Sequence, residues 1–478
     1  MTLTEKEIKT FINLFVSARE QLLNTIIYTK GVGTKVYANT ILQQAQAAIA
    51  ELEAQTGNFA ASAIPREYND ALNEVYGYFQ KNNLQMLPPA AFARIHTDVI
   101  YGVARELQYQ IGQGLEQVGR QILRYVDSAQ DNALRRAGLE ATGEKFASSS
   151  TLRQMQKNMI AKLQTEGFMT VQYGSGKGAF QVPIDAYAQM VSRSTTREAG
   201  NIARETQLTE NGYDLMKMTE HFPTCNVCAA LQGRVYSISG KDKRFPALST
   251  AFKSGYRNVH PNCRHSVVPY IEELQTPEEL EQEIAQSNKP LVDNRPADER
   301  ALYNKQQAQT RAFRQDRYQH ERYKAALGED APKTFGAFRK LKKADGEKWK
   351  FMQLDYKRRC KLFDNPSLVL PNASIATAAD AKFTRYLFDS SSKSGHAKGL
   401  AFTSRLGYNK ENWQELQGEI LKRAPISPSK HISTDDYGAK FEQKIVVYGK
   451  KGTPANVVVG WREKGGATWM TSCYIKEV

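Results

Sequence analysis

Cys225 and Cys228, followed roughly thirty residues later by His260 and Cys263, form a C-x-x-C knuckle and an H-P-N-C knuckle. This is ligand spacing for a closed tetrahedral zinc site. A two-residue gap lets both side chains of a knuckle curl onto one ion about 2.3 Å away. Pro223 and Thr224 lead into the first knuckle, and Pro261 and Asn262 sit inside the second. These residue types favour the turns that make two ligands converge. Four good ligands point to a structural staple, because an open catalytic zinc keeps three protein ligands and a water. His221 and His265 stand nearby as spare ligands. A C-x-x-C pair also reads as a redox couple, a disulfide or unmetallated buried thiols. The second knuckle, and the lack of a flanking strand–helix redox pattern, favour the metal.

The elements that must carry this site begin with helix. Residues 1–130 read as helical, and Ile100, Val103, Leu107, Ile111, Leu115, Val118, Ile122 and Val126 recur at gaps of three and four. That is one apolar stripe of a long amphipathic helix. Gly112, Gly114 and Gly119 lower its intrinsic stability and fit close packing against a partner element. Between 130 and 185 the pattern breaks into shorter pieces. Thr170, Val171 and Tyr173 lead through GSGKG to AFQV, a β-hairpin with a glycine-rich turn. GSGKG lacks the full spacing of a phosphate loop. Residues 184–212 return to helix, with Tyr187, Met190 and Val191 on one face and Arg193 and Arg197 beside them.

Beyond the knuckles, residues 271–360 are polar and mixed in charge, with too few apolar residues for a large core of their own. We expect a solvated helical arm there; its Arg and Lys interleaved with Tyr and Phe suit a nucleic-acid backbone. NPSLVLPNAS and SSSKSG, near 365–395, read as a linker. Residues 396–478 read as a compact α+β domain. A helix is expected from Asn409, a good N-cap, with Trp413, Leu416 and Ile420 inward. KIVVYG, ANVVVGW and ATWMTSCYI follow as strands of a β-meander.

The predicted fold is therefore multidomain. A mainly α N-terminal part carries a zinc-knuckle α+β module, and a small C-terminal α+β domain holds an antiparallel meander. The expected boundaries are 1–183 (helical), 184–270 (zinc knuckle), 271–374 (charged arm and linker) and 375–478 (the α+β domain). The net charge of +15 across 478 residues favours contact with a polyanion. Five cysteines, an odd number with one close-set cluster, argue against a disulfide framework and suit a reducing cytoplasm. MTLTEKEIKTFINLF has an early acidic residue and no cleavage-site pattern, so no signal peptide is expected. No apolar run reaches about eighteen residues, so no membrane span is expected either.

VPIDAYAQMVSRSTTREAGNIARE, CNVCAALQGRVYSISG and HPNCRHSVVPY together resemble the phage minor capsid or head-morphogenesis family (the Mu F-like proteins). Tyr187, Met190, Arg193, Thr195 and Thr196 match the family's helical motif. Cys225, Cys228, Leu231, Gly233 and Val235 match the first knuckle, and His260, Pro261, Asn262, Cys263 and Arg264 the second. His265 departs from the family's usual cysteine, so the spacing leaves open whether His260 or His265 completes the site. The resemblance covers roughly residues 1–360. It implies a portal-associated virion protein, made in the host cytoplasm, that acts in head assembly or genome entry beside capsid or portal proteins and packaged DNA.

In the C-terminal domain, KGLAFTSRLGYNKENWQELQGEI, then DYGAKFEQKIVVYGKKGTPANVVVGWREK and a closing TS, resemble a small domain, often labelled as of unknown function, at the ends of bacterial polymorphic toxins and related to metal-independent ribonucleases. That resemblance implies an RNA substrate and an immunity protein as partners. Metal-free RNA cleavage needs a base, a cation for the phosphorane charge and an acid. His396 is the natural base or acid, Lys398 a phosphate holder and Thr471 a donor to phosphate; Tyr437, Lys440 and Ser472 are further polar residues in reach. An equally simple reading makes His396 a loop histidine and Thr471 a strand residue. Two functions stay open: a minor capsid protein bearing a nuclease-like effector, or a delivered ribonuclease with a capsid-derived carrier. A third, a zinc-finger DNA-binding protein, lacks a recognition helix beside the ligands.

Overall fold

A computed structural model describes residues 3–29, 35–140, 167–174, 176, 179–252, 256–450 and 452–477. The chain divides into two compact units. The first comprises Met1–Leu22, Leu42–Leu123 and Met169–Phe313, and the second comprises Leu23–Ile41, Arg124–Phe168 and Arg314–Val478. The helices α1 (Leu3–Tyr28), α2 (Lys35–Lys81) and α3 (Ala93–Glu140) carry the N-terminal region, which is mainly helical as its periodicity predicts.

In the first unit the α3 stripe is core: Leu107, Ile111, Leu115 and Val118 are fully buried. Phe11 of α1 stacks on Phe59 of α2, with ring centroids 4.4 Å apart. The hairpin pairs β1 (Thr170–Tyr173) with β2 (Phe180–Pro183), in antiparallel register Thr170↔Pro183. Ser175, Lys177 and Gly178 of its glycine-rich turn lie outside the described residues, as do 141–166 of the broken stretch before it. Helix α4 (Ile184–Glu210) follows at once, and Arg19 holds its first-turn Asp185 at 3.0 Å. Both partners of that pair are buried, so each offsets the desolvation of the other.

Of the glycines expected to pack closely, Gly114 of α3 does so, whereas Gly112 has nothing within 4 Å of an added Cβ. A Cβ at Gly114 would meet the Tyr187 ring of α4 at 2.9 Å. Next come three strands, β3 (Leu215–Met218), β4 (Val235–Ser237) and β5 (Val267–Pro269), forming an antiparallel sheet in the order β4-β3-β5. A short helix, α5 (Asn226–Ala229), lies between β3 and β4. The sheet buries Met216, Met218, Tyr236 and Val267 against Phe79 and Leu208. Helix α6 (Pro277–Ser287) begins with a full capping box of Thr276 and Glu279.

Helix α7 (Ala297–Leu327) changes character along its length. Its first half, through Gln315, is almost wholly exposed, as expected of a solvated arm. From His320 onward it is buried, which overturns that expectation for the second unit. Aromatic residues there supply the missing core. Tyr323 stacks on Tyr356 at 4.2 Å and on Trp349 at 5.6 Å, and Phe338 meets Trp349 edge-on at 5.4 Å. These rings come from α7, α8 (Phe335–Ala344) and α9 (Glu347–Asp364). Few large rings bury as much area as many aliphatic residues, and a count of apolar positions misses that.

The C-terminal part has a four-stranded antiparallel meander in the order β6-β7-β8-β9. Its strands are β6 (Ser429–Asp435), β7 (Gly438–Tyr448), β8 (Pro454–Lys464) and β9 (Ala467–Ile475). Three of these are legible in the sequence; β6, mostly exposed and rich in polar residues, carries no alternation. Helices α10 (Lys393–Leu406) and α11 (Trp413–Arg423) give Phe402, Leu406, Leu416 and Ile420 to the core over Ile445, Val457 and Trp461. The stretch expected to be a linker joins that core through Leu370, Ala373, Phe383 and Leu387. Asn409 is not the helix cap. Its Oδ1 accepts from the Glu411 N–H at 2.9 Å, and Asn412 occupies the N-cap position.

Candidate metal centre

The first knuckle grows from the end of β3. Cys225 is the N-cap of α5, and its Sγ accepts from the Cys228 main-chain N–H at 3.3 Å. Gly233 closes the following turn at φ 72°, where an added Cβ would collide with the Glu220 carboxylate. The loop is tied down from later sequence. Glu299 accepts from the Thr224 N–H at 2.8 Å, and Arg295 Nη1 donates to the Thr224 carbonyl at 2.8 Å.

Helix α4 holds the second knuckle. Asn258 Nδ2 donates to the Ser194 carbonyl at 2.9 Å, and the Asn262 N–H donates to Ser194 Oγ at 3.0 Å. Asn262 sits in the left-handed region at φ 61°, so the chain folds back and the Cys263 N–H reaches the His260 carbonyl at 3.0 Å. Arg264 Nη2 then donates to the Pro223 carbonyl at 2.7 Å, joining the knuckles directly. The helical motif is therefore scaffold. Arg193 pairs with Glu5, and Thr196 Oγ1 donates to the Ser192 carbonyl at 2.6 Å.

All four expected ligands come together, and His265 joins them. Cys225, Cys228 and His260 form one group of mutually close ligand atoms; Cys228, Cys263 and His265 form a second. Cys228 belongs to both. His260 Nε2 lies 3.2 Å from Cys225 Sγ and 3.1 Å from Cys228 Sγ. Cys228 Sγ lies 3.7 Å from Cys263 Sγ, and Cys263 Sγ lies 3.5 Å from His265 Nδ1. A tetrahedron with metal–sulfur bonds of about 2.3 Å has sulfur–sulfur edges of about 3.8 Å. The donor set and its spacing fit zinc.

The histidines are oriented for ligation. His260 Nδ1 is 2.8 Å from the Pro261 carbonyl oxygen, which can only accept, so Nδ1 carries a proton and Nε2 is the nitrogen that faces the thiols, free to ligate once its own proton leaves. His265 Nε2 is 2.9 Å from Gln232 Oε1. That oxygen also accepts from the His221 main-chain N–H at 3.1 Å, which fixes the amide orientation. His265 Nδ1 is then the free nitrogen, facing Cys263. Such outer partners fix tautomer and ring orientation in metal sites.

The charges respond to this crowding. The hydrogen bond with Cys228, and then that with His260, hold the Cys225 thiol down at about 3. Cys263 is likewise lowered, first by its bond with Cys228, while Cys228 is pushed up as the donor between them. His260 rises to about 9, chiefly through Cys225. Thiolates and a cation crowded together at a half-buried site are what a bound dication would reorganise.

The second expected set is not assembled in the same way. His396 and Lys398 lie on α10, so His396 is a helix residue and not the loop histidine of the alternative reading, and both are half-buried. Thr471 is the extra residue of a bulge on β9, where Gly460 pairs with Ser472 and Trp461 with Met470. Among the described residues no hydrogen bond joins His396, Lys398 and Thr471. Lys398 Nζ instead donates to Tyr386 Oη at 3.2 Å, and Tyr386 Oη meets Ser394 Oγ at 3.3 Å. These bonds, Ser394 first and Lys398 second, lower the Tyr386 phenol. Sequence reading missed Tyr386 because no spacing rule links it to Lys398. Of the other polar residues considered, Tyr437 is exposed at the β6–β7 turn, Lys440 lies on β7 and Ser472 on β9.

Two family models match separate stretches of the chain. A family model described as phage minor capsid protein 2 matches residues 18–349. A second, described as a domain of unknown function (DUF6883), matches residues 369–477. No curated protein and no solved structure matches.

Proposed function

Because this chain belongs to the phage minor capsid protein 2 family, we propose that it is a portal-associated virion component whose Cys/His cluster binds a structural zinc. The supporting observation is the convergence of Cys225, Cys228, His260, Cys263 and His265 with both imidazoles oriented by outer carbonyl partners. Zinc bound there supplies no chemistry of reaction; it cross-links two knuckles that otherwise depend on short turns. The chain's own residues do the positioning: Ser194 and Asn258 seat the second knuckle, and Arg264 draws it to the first. Capsid and portal proteins are its partners, and its positive charge suits a place beside packaged DNA. The test is elemental analysis of purified protein together with immunogold labelling of particles. One zinc per chain and label at the portal vertex support the reading; a metal-free folded protein absent from particles rejects it.

A second reading concerns residues 375–478, for which Lys398 is the relevant observation. Its ammonium lies 5.4 Å from the Tyr386 ring centre and 5.8 Å from that of Tyr474, beside a phenol made more acidic. A cation next to an acidified hydroxyl suits metal-independent phosphoryl chemistry, with His396 on the same helix as the proton-transfer group and Thr471 as a donor to phosphate. In this reading the tail cleaves RNA and an immunity protein restrains it. Cleavage of RNA by the full chain in EDTA, lost in His396→Ala and Lys398→Met, supports it. Intact RNA after prolonged incubation returns the tail to a structural role.

A further inference from the structure

A cavity of about 430 Å³ opens beside the metal centre, within the first unit. Its walls include Tyr173 of β1, Tyr187 and Glu198 of α4, and Tyr256, Asn258 and His260 of the second-knuckle loop. The Tyr173 and Tyr187 rings lie 6.5 Å apart at 59°, so two ring faces are presented at an angle. Tyr187 is held in place: Gly114 leaves room for its ring, and its hydroxyl donates to the Gln110 carbonyl at 3.2 Å. Tyr256 is 46 % exposed and completes an aromatic rim.

Among the polar groups of the wall, Glu198 and Asn258 keep acceptor capacity, while His260 belongs to the neighbouring cluster. Among the described residues Glu198 accepts a single hydrogen bond, from the Arg257 main-chain N–H at 3.2 Å, and burial raises its carboxyl. The Arg257 guanidinium pairs with Glu205, and its charge also reaches Glu198 and lowers that carboxyl in part. Asn258 is 7 % exposed, its Nδ2 is used by Ser194, and among the described residues its Oδ1 has no donor. A half-buried carboxylate, an amide oxygen without a donor and three tyrosine rings all favour a cationic N–H donor. An anion would be repelled by the carboxylate, and a plain hydrocarbon would leave both oxygen acceptors without a donor.

We propose that this cavity receives one lysine or arginine side chain of a partner protein. The wall carries one carboxylate, part of whose charge Arg257 already offsets, which favours a single ammonium or guanidinium over a polyamine bearing several. The tyrosine rings supply cation–π attraction. The inference does not depend on which metal the neighbouring cluster binds, since neither Glu198 nor Tyr256 belongs to it.

The test is calorimetric titration of the full chain with N-acetyl-arginine methylamide, N-acetyl-lysine methylamide, the neutral citrulline analogue and putrescine. The expected result is binding of the arginine or lysine compound at least tenfold tighter than citrulline. Glu198→Gln weakens that binding roughly tenfold and Tyr256→Ala several-fold, with metal content unchanged in both variants. Equal affinity for arginine and citrulline compounds, or variants indistinguishable from the parent, overturns the proposal. Putrescine binding more tightly than either amino-acid compound overturns the side-chain assignment in favour of a free diamine.

Discussion

The Sγ atoms of Cys228 and Cys263 lie 3.7 Å apart, at the edge length of a zinc–thiolate tetrahedron, although thirty-four residues separate them in sequence. Cys228 also faces His260, so it is the one thiol common to both ligand groups. Cys228→Ser should therefore abolish metal retention, and the first unit should lose a cooperative unfolding step. Structural zinc contributes on the order of 10 kcal/mol to folding in small metal modules. Zinc analysis and hydrogen exchange over 215–270 check this; full occupancy in the serine variant would refute the site.

The two histidines are separable by mutation. His260 closes the triad with Cys225 and Cys228, whereas His265 is held by Gln232 next to Cys263. If His260 is the ligand and His265 an outer partner, His265→Ala should weaken zinc binding about 10–100-fold and His260→Ala should remove it. Competition against a chromogenic chelator reads both, and the reverse order would assign His265 as the ligand.

Gly114→Ala should destabilise the first unit even though alanine is the better helix former by about 1 kcal/mol. The added methyl meets the Tyr187 ring at 2.9 Å, and that ring is bonded through its hydroxyl to Gln110. Overpacking of this kind costs about 1–3 kcal/mol. A denaturation midpoint lowered relative to the parent checks it. Gly112→Ala is the control, since nothing lies within 4 Å of a Cβ there.

His320 should make the second unit acid-sensitive. Burial, aided by Lys324, pulls its imidazole down to about 4, and its Nε2 is 2.7 Å from the Pro332 carbonyl. A depressed histidine pKa means that the unfolded chain binds the proton more readily. Its stabilising effect is complete above the unfolded value near 6.5 and is lost as pH falls toward 4, by about 3 kcal/mol. His320→Gln should flatten this slope in urea titrations between pH 6.5 and 4.

Arg359 anchors a buried charge network in the second unit. It pairs with Asp330 at 2.5 Å and with its own-helix Asp355 at 3.2 Å, while Arg423 reaches Asp330 at 2.8 Å. Tyr448 donates to Asp355 at 3.3 Å. Asp355→Ala removes one carboxylate and leaves Arg359 under-compensated, so a loss of about 3–5 kcal/mol is expected. A change below 1 kcal/mol would show that the remaining Asp330 suffices.

Local pattern made much of this protein legible. The three-and-four spacing of Leu107 to Val126 specified a buried helical stripe, because an apolar face has nowhere else to go. The knuckle spacing specified its ligands, because two intervening residues set how side chains converge. Short runs rich in β-branched and aromatic residues, bounded by glycine-containing turns, specified β7, β8 and β9. Where the signal was not local, reading failed. Tyr323, Trp349 and Tyr356 build a core only by meeting across distant helices, which no window of sequence contains.

What the sequence by itself determined is the Cys/His donor set, the helical front and the terminal meander, all properties of short-range periodicity and ligand spacing. Only the tertiary structure decided that His265 joins the cluster, that Leu370 and Phe383 are core, and that Lys398 partners Tyr386. It also decided that three tyrosines and Glu198 surround one cavity. Those outcomes depend on which faces of distant elements pack together, and burial and hydrogen bonding settle that choice only once the chain has folded.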